Sequence, residues 1–249
     1  MAAEAGVNGG SALGDAFVYL NDPLSWTEQG GILDLLRDHL WMTFVAVLLA
    51  AAVALPLGLW FGHAGRGGQV VVATANLTRA LPTLALLYIL TAWLGLGQWP
   101  TILAVAVFAV PPILSNTWTG LREVDPAARD AGTGMGMSPA RLLRDVELPL
   151  ALPLIAAGVR TAVVQVVATV SLASLVGGGG LGLIISNGIF TQRYGQALAG
   201  ALIVVAVCLG LEGLLAALQR VLTPAAMRRG GRRRPRPVSV ADPTPHAAT

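Results

Sequence analysis

The stretch "LWMTFVAVLLAAAVALPLGLWFG", residues 40–62, contains no acidic or basic residue. A helix rises about 1.5 Å per residue, so a run of this length can cross the roughly 30 Å hydrocarbon core of a bilayer. The whole chain has the same character: 55% of its 249 residues are hydrophobic, 12% are charged and its mean hydropathy is +0.69. An ordinary soluble domain is about a quarter charged. The composition therefore predicts an integral membrane protein.

Four further apolar runs have the length of membrane spans. With the first, they predict five transmembrane helices at residues 40–62, 70–96, 101–118, 150–176 and 197–222. The runs are much longer than the ten or so residues of a barrel strand, so the predicted fold class is an all-α integral membrane protein. The second span contains Pro82, which is expected to break the helix.

The arginines predict the orientation, because loops that stay in the cytoplasm carry the excess of positive residues. All sixteen basic residues are arginines. Only Arg37 and Arg193 lie outside if the amino terminus is outside, and Arg79 and Arg160 fall within spans. The remaining arginines are then cytoplasmic: Arg66, Arg122, Arg129, Arg141, Arg144, Arg220, Arg228, Arg229, Arg232, Arg233, Arg234 and Arg236. We therefore expect a cytoplasmic carboxyl terminus, and we expect Arg160 to extend towards the inner headgroups.

The two ends of the chain differ from the spans. Residues 1–39 are predicted to be an extracytoplasmic segment and not a signal peptide, since they lack a basic start followed by an apolar core. Within them "ILDLLRDHL", residues 32–40, is interpreted as an amphipathic helix at the membrane surface. Residues 223–249 are rich in Arg and Pro and predict a disordered cytoplasmic tail. Beside a span, its basic cluster favours contact with anionic lipid over nucleic acid.

Residues typical of catalysis or metal binding are sparse. Cys208 is the only cysteine, and His39, His63 and His246 stand alone in sequence, which favours interface or loop positions. The run "GGGGLG", residues 177–182, lacks the Gly-Lys-Ser/Thr ending of a nucleotide-binding loop. We predict no catalytic residue, no metal site and no ATPase site in this chain. The glycines are expected to cap the fourth span and bend the chain at the outer face.

A polar segment, "DAGTGMGMSPARLLRDVELPL" at residues 130–150, interrupts the apolar sequence. An Asp-Pro pair at 125–126 and a Ser-Pro pair at 138–139 are typical helix starts. The glycines between them predict a corner near Gly136, so the loop is interpreted as two short helices. Leu142, Leu143 and Val146 share one side of the second helix. A structured cytoplasmic loop over residues 120–149 is typical of a docking element, and the alternative is an ordinary loop with two surface helices.

The spacing of this loop resembles that of permease subunits of bacterial ABC importers. Their pattern is Glu-Ala-Ala, three residues, Gly, nine residues, Ile, one residue and Leu-Pro. The matching positions here are Asp130, Ala131, Gly132, Gly136, Val146, Leu148 and Pro149. The resemblance implies a loop that fits a groove of a cytoplasmic ATPase, with residues 130–137, including Met135 and Met137, as its lever. It also implies that Gly136 packs closely and turns the chain, so that a bulky residue there would clash.

Two longer stretches resemble the osmoprotectant branch of these permeases, which imports glycine betaine, choline, carnitine or proline. They are "LREVDPAARDAGTGMGMSPARLLRDVELPLALPLIAAGVRTA" at 121–162 and "SLVGGGGLGLIISNGI" at 174–189, within a similarity that covers about residues 40–222. The resemblance implies a type I ABC importer permease fold in the bacterial inner membrane. It also implies an external binding protein, a second identical or sibling permease chain and ATPase subunits that use ATP and magnesium, with no cofactor bound by this chain.

Polar residues inside the spans could line the pathway. Thr161, Gln165 and Thr169 recur at four-residue spacing, so they share one face of the fourth span. Such a face could border a hydrated route or form hydrogen bonds between helices, and the sequence leaves both interpretations open. The same choice applies to Asn76 and Thr78 in the second span.

Other functions are also compatible with the sequence. The chain could serve an ABC importer of another small solute, such as methionine, a sulfonate or another amine. It could instead be a secondary transporter that works without ATP. Secondary transporters usually show duplicated halves and intramembrane acids, whereas Glu212 is the only acid within a predicted span and no internal repeat is evident. The docking loop therefore favours the ABC permease.

Overall fold

A computed structural model describes residues 11–222, except for the side chains of Val72, Asn76, Arg79 and Leu222; the tail predicted for residues 223–249 lies outside this range. All regular structure within the described range is helical. The helices are α1 (Ala12–Asn21), α2 (Pro23–Thr27), α3 (Ile32–Ala64), α4 (Gly68–Ala80), α5 (Thr83–Leu94), α6 (Gln98–Arg122), α7 (Pro126–Gly134), α8 (Pro139–Leu142), α9 (Leu148–Val170), α10 (Gly182–Phe190) and α11 (Tyr194–Leu222). A π-helical turn, Leu143–Glu147, joins α8 to α9, and a 3-10 turn, Ser171–Val176, extends α9.

Four of the predicted spans correspond to long apolar helical segments, and the second does not. The segments Pro23–Ala64, Gln98–Arg122, Pro139–Val176 and Tyr194–Val221 are long and apolar enough to cross a membrane. The second predicted span is divided into α4 and α5, with Leu81 in an extended conformation before Pro82. Proline disfavours a helical conformation in the residue before it, so the break expected at Pro82 is confirmed.

The first span begins earlier than the sequence indicates. α3 is one helix of 33 residues from Ile32, about 50 Å long. The separate surface helix predicted for residues 32–40 is therefore wrong, because these residues are the first turns of α3. Ile32, Leu35 and His39 point into the protein and are buried there. The buried side of these turns explains why their amphipathic pattern resembles that of a surface helix.

The core is formed where α3, α6 and α9 cross. α3 places a buried small residue at every fourth position along the side facing α6: Ala46, Ala50, Ala54, Gly58 and Gly62. A Cβ atom on Gly58 would lie 2.7 Å from Cβ of Thr117, and one on Gly62 would lie 2.8 Å from Cβ of Leu121. Lipid tails provide no hydrophobic drive for helix association, so small residues that allow close backbone approach stabilise such crossings.

The α10 helix, which the sequence analysis did not predict, fills the space between the end of α9 and the start of α11. Gly177, with φ of +72°, ends the 3-10 turn, which confirms the expected cap and bend. Gly182 then lies directly against the backbone of Ser171, and Gly188 against that of Ala197. α1 crosses the start of α11, where Gly195 lies against Asp15.

Candidate functional site

The loop between α6 and α9 consists of two short helical arms joined at a corner. The Asp125 carboxylate accepts a hydrogen bond of 2.9 Å from the backbone N–H of Ala127, and the Ser138 hydroxyl accepts one of 3.4 Å from that of Arg141. Both predicted helix starts are thereby confirmed. The corner lies at Gly136, as predicted. The second arm runs through α8 and the π-helical turn directly into α9, so its position is fixed by the transmembrane bundle.

Gly136 is required for its backbone conformation. Its φ is +77°, in the left-handed region that glycine adopts without a steric penalty. A Cβ on Gly136 would find no atom of the described chain within 4 Å, so the close packing that the resemblance implies would have to be with the ATPase, and it stays a prediction. The neighbouring Met135 side chain is 71% exposed. The corner is therefore a projecting tip with an apolar side chain.

Gly132 lets the two arms of the loop pack against each other. It is buried inside α7, and a Cβ there would lie 2.6 Å from Cδ1 of Leu142 and 3.7 Å from Cγ2 of Val146. Leu142 and Val146 thus face α7 from the second arm, as their helical spacing indicates. The contact makes the loop a compact hairpin of helices.

The outer side of the hairpin is exposed and composed mainly of small residues. Asp130, Ala131, Gly134 and Met135 are exposed there, and Met137 is half-buried. At the other end of the hairpin, Leu148 packs against the apolar cluster of Leu121, Ala151 and Ile155, while Pro149 is exposed in the first turn of α9. The predicted loop residues therefore divide into a free tip and an anchored base.

A buried acidic residue that the sequence analysis missed lies at this base. Glu147 is 1% exposed, and its Oε2 lies 2.6 Å from Nδ1 of His63, within hydrogen-bond distance. Its Oε1 lies 3.1 Å from Nε of Arg129, close enough for an ion pair, although that N–H is not aligned for a hydrogen bond. The Arg129 guanidinium also donates to the backbone carbonyl of Leu121. His63, Glu147 and Arg129 thus connect the ends of α3 and α6 with α7 and α9.

Two histidines, His39 and His63, do not lie at the loop or interface positions expected from the sequence. His63 is part of the cluster just described, and His39 is completely buried in the bundle, where Nε2 lies 2.9 Å from the Val167 carbonyl oxygen. His246 lies outside the described residues. Among residues 11–222, no group of three or more His, Cys, Asp or Glu side chains is arranged to hold a metal ion.

Arg160 does not extend alone towards headgroups, which corrects the sequence interpretation. Its Nε lies 3.3 Å from Oε1 of Glu212, so α9 and α11 are joined by an ion pair. The same two helices are also joined by the Gln219 amide, which donates a hydrogen bond of 2.8 Å to the Pro153 carbonyl. Glu212, the only acid within a predicted span, therefore has a structural partner.

Three of the five predicted pathway residues border one small cavity. A cavity of about 150 Å³ between α4, α6 and α9 is lined by Thr78, Thr161 and Gln165, together with Ala75, Phe108, Pro111, Pro112 and Ser115. The hydroxyls of Thr78, Ser115 and Thr161 each donate to the carbonyl four residues earlier in their own helix. Thr169 is not among the lining residues and donates to the Gln165 carbonyl at 2.7 Å. The side chain of Asn76 lies outside the described part of the chain.

Known proteins resemble this chain in sequence over most of its length. It is 38% identical over 203 residues to the choline transport system permease protein OpuBB of Bacillus subtilis, covering 82% of this chain and 94% of that protein. It is 35% identical over 202 residues to the glycine betaine/carnitine/choline transport system permease protein OpuCB of the same organism, covering 81% and 93%. The osmoprotectant import permease protein OsmW of Salmonella typhimurium is 37% identical over 206 residues, covering 81% and 96%.

Solved structures share the fold. A chain of the MetNI methionine ABC transporter in an inward-facing conformation matches with a TM-score of 0.67 and 24% identity, covering 76% of this chain and 94% of that chain. A chain of an amino acid ABC transporter with histidines matches with a TM-score of 0.61 and 20% identity, covering 76% and 92%. The bundle and its hairpin therefore have the fold of these ABC transporter chains.

The family model for inner membrane components of binding-protein-dependent transport systems matches residues 54–225. This range contains the α4–α5 break, the helical hairpin and the small cavity. The match confirms the resemblance seen in the loop spacing. The chain thus belongs to the family of binding-protein-dependent transport system inner membrane components, and it is a multi-pass protein of the bacterial inner membrane.

Proposed function

We propose that this chain is the permease subunit of an ATP-driven importer of osmoprotectants, with choline, carnitine, glycine betaine or proline as the solute. The names of its relatives support this solute class. The observation that carries the coupling part of the proposal is the hairpin itself, whose exposed tip is separate from a base held by the bundle. In this proposal a separate ATPase binds and hydrolyses ATP with magnesium.

The amino terminus is proposed to lie outside and the hairpin in the cytoplasm. The contact between His63 and Glu147 places the end of α3 at the same side of the bundle as the hairpin. That side also carries Arg122, Arg129, Arg141 and Arg144. Cytoplasmic loops carry the excess of arginine, so this charge distribution supports the orientation.

The tip of the hairpin is proposed to occupy a groove of the ATPase. Ala131 and Gly134 allow close approach, while Met135 provides a flexible apolar side chain that adapts to the groove. Two permease chains, identical or sibling, each present one hairpin to one ATPase subunit. When ATP closes the ATPase pair, the hairpins move together and the bundle opens towards a binding protein outside.

The cavity bordered by Thr78, Thr161 and Gln165 is proposed to be part of the route for the solute, and Asn76 and Thr169 are proposed to serve the same route. The hydroxyls of Thr78, Ser115 and Thr161 each donate their hydrogen to a carbonyl of their own helix. The oxygen of each hydroxyl therefore offers only acceptor lone pairs to the cavity. Neutral polar walls of this kind solvate a passing amine without holding it as firmly as an ion pair would.

Reconstituted uptake tests the proposal. Proteoliposomes containing the permease and its ATPase, supplied with binding protein, are given labelled choline, carnitine, glycine betaine or proline with and without internal ATP. We expect uptake of at least one of these solutes only when ATP and the binding protein are both present. Uptake that persists without the ATPase would indicate secondary transport, and uptake of methionine or a sulfonate alone would refute the solute class.

A further inference from the structure

Glu147 lies where four helices meet. It follows directly on the second arm of the hairpin and precedes α9, and one of its oxygens contacts His63 in the last turn of α3. Its other oxygen contacts Arg129 of α7, whose guanidinium also binds the Leu121 carbonyl in the last turn of α6. α7 is therefore attached to the bundle through one buried carboxylate and one helix end.

The charges and hydrogen-bonding groups of this cluster give each member a specific partner. The Glu147 carboxyl group lies between an imidazole nitrogen of His63 and the guanidinium of Arg129, so each of its oxygens has its own partner on a different helix. The free carbonyls at the end of α6 carry partial negative charge, which favours the Arg129 guanidinium there. A charge buried to this extent is strongly disfavoured without its partners, so the three groups move together or the cluster is disrupted.

We propose that Glu147 is a positioning residue that transmits the displacement of the docked α7 to the ends of α3 and α9. The proposal rests on the proposed function, because it takes the ATPase to bind at the tip of the hairpin. The apolar contact between Gly132 and Leu142 joins the two arms only to each other. Glu147 joins the hairpin to α3, whose stripe of small residues packs along α6 through the core.

The same loop contains a second ion pair, which lies within the second arm and does not link that arm to another part of the protein. Arg141 and Asp145 lie 3.3 Å apart, with side chains that are 69% and 45% exposed, one helical turn from each other in the second arm. Exposed pairs of this kind contribute little to stability. Asp145→Asn therefore removes a carboxylate from the hairpin without disturbing a connection between helices, and it controls for the loss of charge.

The test compares uptake per ATP hydrolysed in proteoliposomes containing the complete transporter. For Glu147→Gln we expect this ratio to fall about tenfold, a size typical of a coupling free energy between sites, while the permease and ATPase still purify as one complex. For Asp145→Asn we expect a ratio equal to that of the wild type. His63→Ala should lower the ratio, and His63→Asn should retain much of it, because the Asn amide can donate to Glu147 from near the position of Nδ1.

The outcomes separate this inference from the proposed function. Normal ratios in both Glu147→Gln and His63→Ala would overturn the inference and leave the proposed function intact. The inference would also be overturned if uptake by these variants fell only in proportion to the amount of complex recovered. If Glu147→Gln does not accumulate in the membrane, His63→Ala, which keeps the Arg129 contact, decides by the same ratio. A wild-type permease that binds no ATPase would refute the proposed function itself.

Discussion

Gly134 and Gly136 lie at the same tip of the hairpin and are glycines for different reasons. Gly136 needs its positive φ, so any side chain there strains the backbone whatever space is available. Gly134 ends α7, has no positive φ, and a Cβ on it would meet no atom of the described chain within 4 Å. A substitution at Gly134 therefore tests the outer contact of the tip without the backbone strain that a change at Gly136 would introduce.

We predict that Gly134→Phe abolishes uptake and co-purification of the ATPase, while the amount of permease in the membrane stays normal. A Cβ at this position meets no atom of the described chain within 4 Å, so we expect the main obstacle to the ring to be a surface that covers the tip. Gly134→Ala is the control: it improves helix propensity by about 1 kcal/mol and should retain most of the uptake. Normal ATPase binding by Gly134→Phe would show that the tip remains uncovered in the complex.

At the residue scale, local chemistry was predictable and distant contacts were not. The caps at Asp125 and Ser138 and the turn at Gly136 depend on neighbours within a few residues, so the sequence sufficed for them. His63 and Glu147 are 84 residues apart, and only the crossing of α3 with the start of α9 brings them together. A lone acid within an otherwise apolar "VELPL" run was the one signal available for Glu147.

Hydropathy predicts where elements lie better than it predicts whether they are continuous. It placed most spans within a few residues, since burial in lipid requires long apolar runs. It joined α4 to α5 because the extended Leu81 is as apolar as its helical neighbours. It also began α3 late, because the charged Asp34, Arg37 and Asp38 lower the local hydropathy without ending the helix. It missed α10, because this helix has only nine residues and follows the glycines that end the preceding turn.

The contact between α10 and the end of α9 depends on Gly182. A Cβ there would lie 1.8 Å from the backbone carbonyl oxygen of Ser171, and a backbone atom cannot rotate away. We predict that Gly182→Ala lowers the free energy of unfolding by at least about 2 kcal/mol, as overpacking of a core does. Thermal unfolding of the purified permease in detergent measures the effect.

Gly213 of α11 is the matched control for this substitution. It is also a helical glycine, but a Cβ on it would meet no atom of residues 11–222 within 4 Å. Gly213→Ala should therefore stabilise the protein by up to about 1 kcal/mol through helix propensity. Equal stability of the two variants would contradict the tight contact between α10 and Ser171.

At the scale of the whole molecule, the hairpin and the ends of several long helices lie together at one end of the bundle. The ends of α3 and α6 and the start of α9 converge on Glu147, and α11 reaches the same end, where Gln219 binds the Pro153 carbonyl. The opposite end holds the start of α11 beneath α1 and the glycines that follow α9. In the proposed mechanism, a force applied at the hairpin reaches the core helices at their ends, and the small cavity lies between α4, α6 and α9.

The central claim is that the tip of the hairpin faces the cytoplasm and touches a separate ATPase. Site-specific crosslinking in intact cells tests it, with a single cysteine at Met135 in a Cys208→Ala background and a second variant with the cysteine at Tyr194, an exposed residue at the opposite end. We predict that the cysteine at 135 crosslinks to the ATPase and resists a membrane-impermeant maleimide added outside, while the cysteine at 194 is labelled. Labelling at 135 from outside, or no crosslink to the ATPase, would contradict the account.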